Sequence, residues 1–328
     1  MHNEGYYTIS TYSIIIYFST SPTSIILGTI KRMVNERKVV VITGANRGIG
    51  FEFCNQLLTG TNPLPNFFNN NPISVIACVR SLENIARLQE LKNTLEQSSG
   101  DSNASNSLII MQCDVSNQDH ITKFTRDLQE VYGITSIDLF ISNAGIIEAD
   151  PQYDISDVSS FDEPRDIFTV NTIAPVLLTN ALIPFLKASA AHTLGTDIID
   201  TPVYSSVADG VEKNDQNTSV ESSHKYPSRC IYISSNLGSI TNINTPLSPS
   251  YRASKAALNA YVKAFQLKYP FIGFLPISPG WVGMFDGCGG GIVLYHLDYC
   301  MIYCHYVIGW LSMSALSYDL LSFSFLYF

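Results

Sequence analysis

The feature that most constrains the fold is a glycine-rich turn between an apolar run and a helical pattern. Residues 43–50 read TGANRGIG and follow the run KVVVI at 38–42. That run is short, apolar and β-branched, which is typical of a strand buried on both faces. Apolar residues then recur at 51, 53, 54, 57 and 58, a spacing that predicts a helix. A strand, a glycine turn and a helix in this order predict a phosphate site, because the helix N-terminus presents free N–H groups and a positive dipole end.

Strand-like and helix-like segments alternate along most of the chain. Apolar runs predict strands at 38–42, 73–79, 108–113, 137–142, 230–234 and 271–277. Helical spacing fills the intervals at about 48–58, 82–96, 117–132, 165–188 and 251–268. This alternation predicts an α/β fold, with a doubly wound, Rossmann-type parallel sheet in three αβα layers. Three long polar connections, at 59–72, 97–107 and 190–228, are expected to be solvated insertions, and a substrate lid is the alternative for the last one.

The charge and the cysteine content of the chain indicate which partners and which cellular compartment are expected. A net charge of −9 with only 19 Lys and Arg argues against a nucleic-acid surface. The seven cysteines are irregularly spaced without a Cys-x-x-Cys pair, which indicates reduced thiols and a cytoplasmic protein rather than a disulfide framework. Cys300, Cys304 and His305 lie close in sequence, but a fourth ligand and a turn are missing, so no metal site is predicted.

The chain divides into three regions. Residues 1–37 are expected to be a disordered extension, with an uncleaved anchor as the alternative, and 38–283 are expected to form the α/β domain. Residues 284–328 are an apolar tail of uncertain structure, within a stretch from 269 onward that contains no Lys or Arg. We interpret this tail as unrelated sequence of the kind that a read-through or mis-joined coding segment yields, and the alternative is a membrane helix at 299–317.

Candidate acid/base chemistry lies in the second half of the domain. Tyr251 and Lys255 are four residues apart on a predicted helix and therefore share a face. A nearby ammonium lowers the pKa of a phenol, so the pair is a candidate acid/base unit. Ser235 ends a predicted strand, where its hydroxyl can reach a substrate oxygen. Asn171 is a poor residue for a helix interior and is either a buried amide that holds a relay water or a surface side chain.

Taken together, the motifs resemble the short-chain dehydrogenase/reductase family. They are Thr43-Gly-x-x-x-Gly-Ile-Gly50, Cys113-Asp-Val115, Asn143-Ala-Gly145, Asn171, Ser235, Tyr251-x-x-x-Lys255 and Pro279-Gly280. The stretches LGSI at 237–240, YRASKAALN at 251–259 and PGWV at 279–282 are similar to the sniffer and C-factor branch, near the carbonyl reductases. The resemblance covers about 38–282.

The resemblance implies a catalytic tetrad. Tyr251 would be the acid/base, and Lys255 would lower its pKa and bind the nicotinamide ribose. Ser235 would orient the substrate carbonyl, and Asn171 would place a relay water. The expected cofactor contacts are Thr43, Gly44, Asn46, Arg47, Gly48, Ile49, Gly50, Arg80, Asp114, Val115, Asn143, Ala144, Gly145, Tyr251, Lys255, Pro279, Gly280 and Val282.

The choice between NADH and NADPH rests on the end of the second strand. It reads Ala77-Cys-Val-Arg80, without the acidic residue that would hold the ribose 2′-hydroxyl of NAD. Arg80 and Arg47 are instead placed to pair with a 2′-phosphate, which predicts NADP(H).

The prediction is therefore an NADPH-dependent reductase of a small-molecule ketone, aldehyde or quinone, and the family suggests a homo-oligomer. The alternative is a non-catalytic or signalling C-factor-like protein that keeps the cofactor fold. It is motivated by the C-terminal region, where Gly283-Met-Phe285 lacks the Thr that the family usually places after this motif.

Overall fold

Six parallel strands form one sheet in the computed structural model, which describes residues 37–59, 68, 71–98, 105–194 and 226–279. The strand order is β3-β2-β1-β4-β5-β6, and every neighbouring pair is parallel. The strands are β1 (Lys38–Thr43), β2 (Ile73–Val79), β3 (Ser107–Gln112), β4 (Leu139–Ser142), β5 (Ser228–Ile233) and β6 (Ile272–Ile277). Each predicted strand is therefore present, with bounds that differ by at most two residues.

Helices follow the strands as the alternation predicts. They are α1 (Gly48–Thr59), α2 (Ala86–Ser98), α3 (Gln118–Glu130), α4 (Asp162–Phe168), α5 (Ala174–Leu194) and α6 (Pro249–Lys268). The second helix begins later than predicted, because Ser81 caps a separate 3₁₀ turn at Leu82–Asn84. The predicted helix 165–188 is longer than expected and contains a π-helical turn, Thr169–Ile173, between α4 and α5.

Apolar side chains cover both faces of the sheet. Alternate residues of β1 enter different clusters: Val40 and Ile42 pack with α1 and α2, whereas Val39 and Val41 pack with α3, α5 and α6. This division confirms the three-layer αβα architecture. The helical stretch Asp162–His192 is apolar and long enough to cross a membrane, but half of its most apolar window is buried, as in the core helix of a folded domain.

The strand order places the candidate site. From β1 the chain moves outward to β2 and β3, then returns to pair β4 on the other side of β1. The carboxyl ends of β1 and β4 therefore flank the point where the winding reverses, which is where ligands bind in such sheets. Most of the three predicted insertions, nearly all of the N-terminal extension and the whole tail lie outside the described residues.

Candidate active site

The glycine turn after β1 has the backbone that its sequence predicts. Gly44 has a φ of 63° and Gly48 a φ of 53°, in the left-handed region that favours glycine. A Cβ at Gly50 would lie 2.4 Å from the Gly44 carbonyl oxygen and 2.5 Å from Nδ2 of Asn143. The start of α1 therefore packs against the turn at a distance that only glycine allows.

Hydrogen bonds join the ends of β1 and β4 at this turn. Oγ1 of Thr43 accepts from the backbone N–H groups of Asn143 at 2.9 Å and Ala144 at 3.0 Å. Nδ2 of Asn143 donates to the carbonyl oxygens of Thr43 at 2.8 Å and Gly44 at 3.2 Å. Thr43, Asn143 and Ala144 thus hold the glycine turn rigidly at the crevice.

The expected adenosine contacts lie along the same edge. The N–H of Ala45 donates to the carbonyl of Cys78, near the end of β2, at 3.2 Å. This contact brings the glycine turn beside Arg80, and both Arg80 and Arg47 are exposed. Asn46 donates from Nδ2 to the Asn84 carbonyl at 3.3 Å.

The other predicted cofactor residues differ in exposure. Asp114 follows β3 and accepts from the backbone N–H of Ser116 at 3.0 Å and from its hydroxyl at 2.7 Å. Ile49 is buried, whereas Val115 and Pro279 are half-buried. Gly280 and Val282 lie outside the described residues.

Asn171 is fully buried within the π-helical turn, which excludes the surface alternative. Its Oδ1 accepts from the N–H of Ile146 at 2.8 Å, and its Nδ2 donates to the Ile146 carbonyl at 2.7 Å and to the Ser254 hydroxyl at 3.0 Å. A Cβ at Gly145 would lie 3.3 Å from this Oδ1. The side chain therefore fastens the loop after β4 to α6, while its role toward a relay water stays a prediction.

Ser235, Tyr251 and Lys255 come together at the carboxyl end of β5. Ser235 lies close enough to Tyr251 for its side chain to lower the pKa of the phenol. Nζ of Lys255 lies 5.6 Å from the centroid of the Tyr251 ring and donates to the Ile233 carbonyl at 2.8 Å. A Cβ at Gly145 would lie 3.5 Å from the same Nζ, so this cluster adjoins the loop that Asn143 anchors.

Burial is the main cause of the pKa shifts of both Tyr251 and Lys255. Burial raises the pKa of Tyr251, the Ser235 side chain opposes that shift, and the nearby Glu148 carboxylate adds to it. Burial also lowers the pKa of Lys255 to about 8. The Lys255 ammonium donates to the Ile233 carbonyl, and its predicted effect on the phenol pKa stays a prediction.

Two polar residues that the sequence interpretation did not select belong to the site. Glu148 is 4% exposed, and its Oε1 accepts from the backbone N–H of Tyr251 at 2.9 Å. Ser254 is fully buried and donates from Oγ to the Tyr251 carbonyl at 2.8 Å. Helical spacing could have identified Ser254, since it stands three residues after Tyr251 on the same predicted helix. No sequence pattern links Glu148 to Tyr251, because the two residues are more than a hundred positions apart.

A cavity of about 370 Å³ lies beside the segment that follows Ser235. Amide and hydroxyl side chains predominate in its lining, which consists of Asn236, Leu237, Thr241, Asn242, Ile243 and Asn244. These groups can form hydrogen bonds to a ligand, but Ser235, Tyr251 and Lys255 are not among the residues that line the cavity.

Comparison with known proteins agrees with this geometry. The family model for short chain dehydrogenases matches residues 38–201. The (+)-neomenthol dehydrogenase of Arabidopsis thaliana is 25% identical over 266 residues, which cover 75% of this chain and 83% of the relative.

Two solved structures share both the fold and part of the sequence. The NADPH-bound carbonyl reductase from chicken fatty liver is 27% identical with a TM-score of 0.55, covering 75% of this chain and 81% of that one. The Sniffer protein of Caenorhabditis elegans is 27% identical with a TM-score of 0.51, covering 75% and 86%. Since the family model spans half of the chain, from β1 to beyond the end of α5, the chain belongs to the short-chain dehydrogenase/reductase family of oxidoreductases and resembles its Sniffer-type carbonyl reductases.

Proposed function

We propose that the protein is an NADPH-dependent reductase of ketone, aldehyde or quinone carbonyls, with Tyr251 as the proton donor. The observation that carries the proposal is the cluster of Ser235, Tyr251 and Lys255 at the carboxyl end of β5, next to the loop after β4 that Asn143 joins to the glycine turn. A hydroxyl that can orient a carbonyl and a phenol that can protonate it are the groups this reaction needs from the protein.

The residues around the glycine turn fit a dinucleotide. Gly44 and Gly48 adopt left-handed backbone conformations, and the absence of side chains lets a pyrophosphate approach the N-terminus of α1. The exposed Arg47 and Arg80 would pair with a 2′-phosphate, and Lys255 would bind the nicotinamide ribose. When bound there, NADPH supplies the hydride, and the protein supplies orientation and the proton.

The chain's own residues account for the proton transfer. Ser235 would donate a hydrogen bond to the substrate oxygen, beside the Tyr251 hydroxyl. Tyr251 would then give its proton to that oxygen as the carbonyl is reduced. Because burial raises the pKa of Tyr251, the phenol is protonated at neutral pH and carries the proton that this step transfers.

The relatives support the reaction class and leave the substrate open. The chicken enzyme is a carbonyl reductase with bound NADPH, which supports both the cofactor and the acceptor proposed here. The Arabidopsis relative is named for a terpenoid alcohol, a different kind of substrate. A screen for this protein should therefore include cyclic ketones as well as quinones and aldehydes.

The experiment is NADPH oxidation, followed at 340 nm, across that panel. We expect turnover by the wild type and a loss of at least about 100-fold in kcat for Tyr251→Phe, since general acid catalysis typically contributes 10²–10⁴-fold. Tyr261→Phe is the matched control, because Tyr261 lies on the same helix and is 43% exposed. Binding of NADPH without turnover on any acceptor would refute the proposal and favour the non-catalytic alternative.

The cofactor preference has a separate test. In the double variant Arg47→Ala/Arg80→Ala, the loss of each arginine should raise the KM for NADPH by about 10-fold or more. The KM for NADH should stay nearly unchanged. Arg126→Ala is the control, because its side chain is exposed on α3 and forms ion pairs only with acidic residues of that helix among the described residues. Equal losses for the two cofactors would contradict the NADPH assignment.

A further inference from the structure

Arg87 presents an exposed guanidinium beside the start of α1. It is the second residue of α2, and its Cζ lies 3.9 Å from the centroid of the Phe51 ring. Arg87 is exposed, whereas the Phe51 side chain is buried, so the guanidinium covers the ring on its solvent side. A guanidinium over an aromatic face at this distance forms a cation–π contact, which restricts a long side chain that has many rotamers.

The cation–π contact places Arg87 next to the glycine-turn end of α1. The N–H of Phe51 donates to the Arg47 carbonyl at 3.2 Å, so Phe51 lies one helical turn, about 5.4 Å, from Arg47. The segment before α2 contacts the glycine turn as well, because Nδ2 of Asn46 donates to the Asn84 carbonyl at 3.3 Å. Two independent contacts therefore hold the start of α2 against the turn that is proposed to bind the cofactor.

The positive charge of Arg87 is available to a ligand. Among the described residues, no acidic side chain forms an ion pair with Arg87, although Glu83 and Glu90 flank it in sequence and are exposed. The first turn of α2 contains no acidic residue. Because the N-terminus of a helix carries the positive end of the dipole, a cation here is unfavourable, and a bound anion would offset that cost.

Arginines from three segments lie around the glycine turn. Arg47 belongs to the turn, and Arg80 follows β2, whose Cys78 carbonyl accepts from the Ala45 N–H at 3.2 Å. Arg87 adds a third guanidinium from α2. A phosphate monoester carries nearly two negative charges at pH 7 and three acceptor oxygens, so it can pair with more than one guanidinium. Three cations at this end of the crevice suit a phosphate on the adenosine ribose.

We propose that Arg87 is a specificity-determining residue that binds the 2′-phosphate of NADPH together with Arg47 and Arg80. The proposal rests on the NADPH preference proposed above and extends it by one residue. Stacking on Phe51 holds the guanidinium beside the glycine turn, and the phosphate is the ion-pair partner that the described residues do not supply.

The alternative is that Arg87 only packs α2 against α1, and two substitutions separate these roles. Arg87→Met keeps a long apolar side chain over the Phe51 ring but removes the charge. Arg87→Lys keeps the charge but loses the planar guanidinium that stacks on the ring and pairs bidentately with a phosphate. If the charge binds the phosphate, affinity should fall from wild type to the lysine variant and further to the methionine variant. If Arg87 only packs, all three should bind nucleotide equally.

The experiment measures the binding of two nucleotides by isothermal titration calorimetry and needs no turnover. Adenosine 2′,5′-bisphosphate carries the phosphate that distinguishes NADPH from NADH, and adenosine 5′-monophosphate lacks it. We expect Arg87→Met to raise the Kd for the bisphosphate by about 3–10-fold and to leave the Kd for the monophosphate nearly unchanged. The difference between wild type and variant should shrink in high salt, because exposed charges are screened there.

The matched control is Lys92→Met, which removes another cation of α2, one whose Nζ lies 4.0 Å from Oε1 of Glu96 on the same helix. Equal Kd values for wild type and Arg87→Met, or equal increases for the two nucleotides, would overturn the assignment of Arg87. A loss in Lys92→Met as large as that in Arg87→Met would overturn it too, because the effect would then follow net charge rather than position.

This proposal and the function proposed above fail in distinguishable ways. If Arg47→Ala weakens bisphosphate binding but Arg87→Met does not, the NADPH preference stands and the assignment of Arg87 fails. If Arg87→Met weakens bisphosphate binding but no carbonyl acceptor is turned over, the reductase function fails and the assignment of Arg87 stands. If the wild type binds the bisphosphate no more tightly than the monophosphate, the NADPH preference and the assignment of Arg87 both fail.

Discussion

Replacing Gly50 with alanine should destabilise the protein, although helix propensity alone predicts the opposite. Gly50 lies in α1, where alanine is normally favoured over glycine by about 1 kcal/mol. The new Cβ, however, would lie 2.4 Å from the Gly44 carbonyl oxygen and 2.5 Å from Nδ2 of Asn143. Ordinary van der Waals contacts begin near 3.4 Å, so the turn and the helix must separate by about 1 Å.

The magnitude follows from what that separation disrupts. Overpacking of this kind costs about 1–3 kcal/mol. Moving the Gly44 carbonyl also weakens the two hydrogen bonds from Nδ2 of Asn143, to the carbonyls of Thr43 and Gly44, each contributing about 1 kcal/mol. After the propensity gain of alanine is subtracted, we expect Gly50→Ala to lower the free energy of unfolding by about 2–4 kcal/mol.

Urea unfolding of wild type and variant measures this difference, with the m-value checked for constancy. Gly133→Ala is the control, because Gly133 has a φ of 64° but, apart from its chain neighbours, no described residue has an atom within 4 Å of a Cβ placed there. We expect that variant to lose about 1 kcal/mol from backbone strain alone. A Gly50→Ala protein as stable as wild type, or more stable, would refute the close-packing argument.

Two further substitutions test the polar groups of the site. Thr43→Val leaves the N–H groups of Asn143 and Ala144 without their shared acceptor and should lower the free energy of unfolding in urea by about 2–4 kcal/mol, whereas Thr43→Ser, which keeps the oxygen, should lose less than half of that. Lys255 has a pKa of about 8 when folded against an ordinary 10.5, so the unfolded chain binds more protons between these values and stability rises with pH there. The unfolding free energy of wild type, measured relative to Lys255→Met, should therefore rise by about 1–2 kcal/mol from pH 8 to pH 10, and a flat difference would contradict the buried position of the ammonium.

The fold was largely predictable because strong local signals coincide with it. The β-branched run before Thr43 and the glycine turn after it leave few alternatives to a buried parallel strand followed by a helix. The departures from the predicted helices lie where hydrogen bonds, either local or long-range, compete with the apolar spacing. Ser81 caps a 3₁₀ turn where a helix was expected, and the π-helical turn around Asn171 follows from contacts with Ile146 and Ser254 that no local pattern records.

The sequence predicted that Ser235, Tyr251 and Lys255 lie together, but it did not predict their electrostatic environment. Spacing placed Lys255 on the same helix face as Tyr251, and strand ends placed Ser235 beside them. Spacing could not show that the Lys255 ammonium would turn to the Ile233 carbonyl, or that burial would lower its pKa. Nor could it find Glu148, because the contact between its carboxylate and the Tyr251 N–H depends on how the loop after β4 crosses the start of α6. Charge interactions depend on three-dimensional distance and solvation, which sequence spacing reports only within one element.

The buried side chains of Lys255 and Glu148 both lower the stability of the fold. Lys255 holds a desolvated ammonium, and Glu148 keeps one carboxylate oxygen without a partner among the described residues. Each arrangement opposes stability, and both flank Tyr251, whose own ionisation is disfavoured by burial. Departures from good packing that concentrate around one side chain are typical of a functional site. The same reasoning explains why Lys255→Met should stabilise the fold at neutral pH while removing the residue proposed to bind the cofactor ribose: the ammonium is retained at a cost in stability for a function that methionine cannot perform.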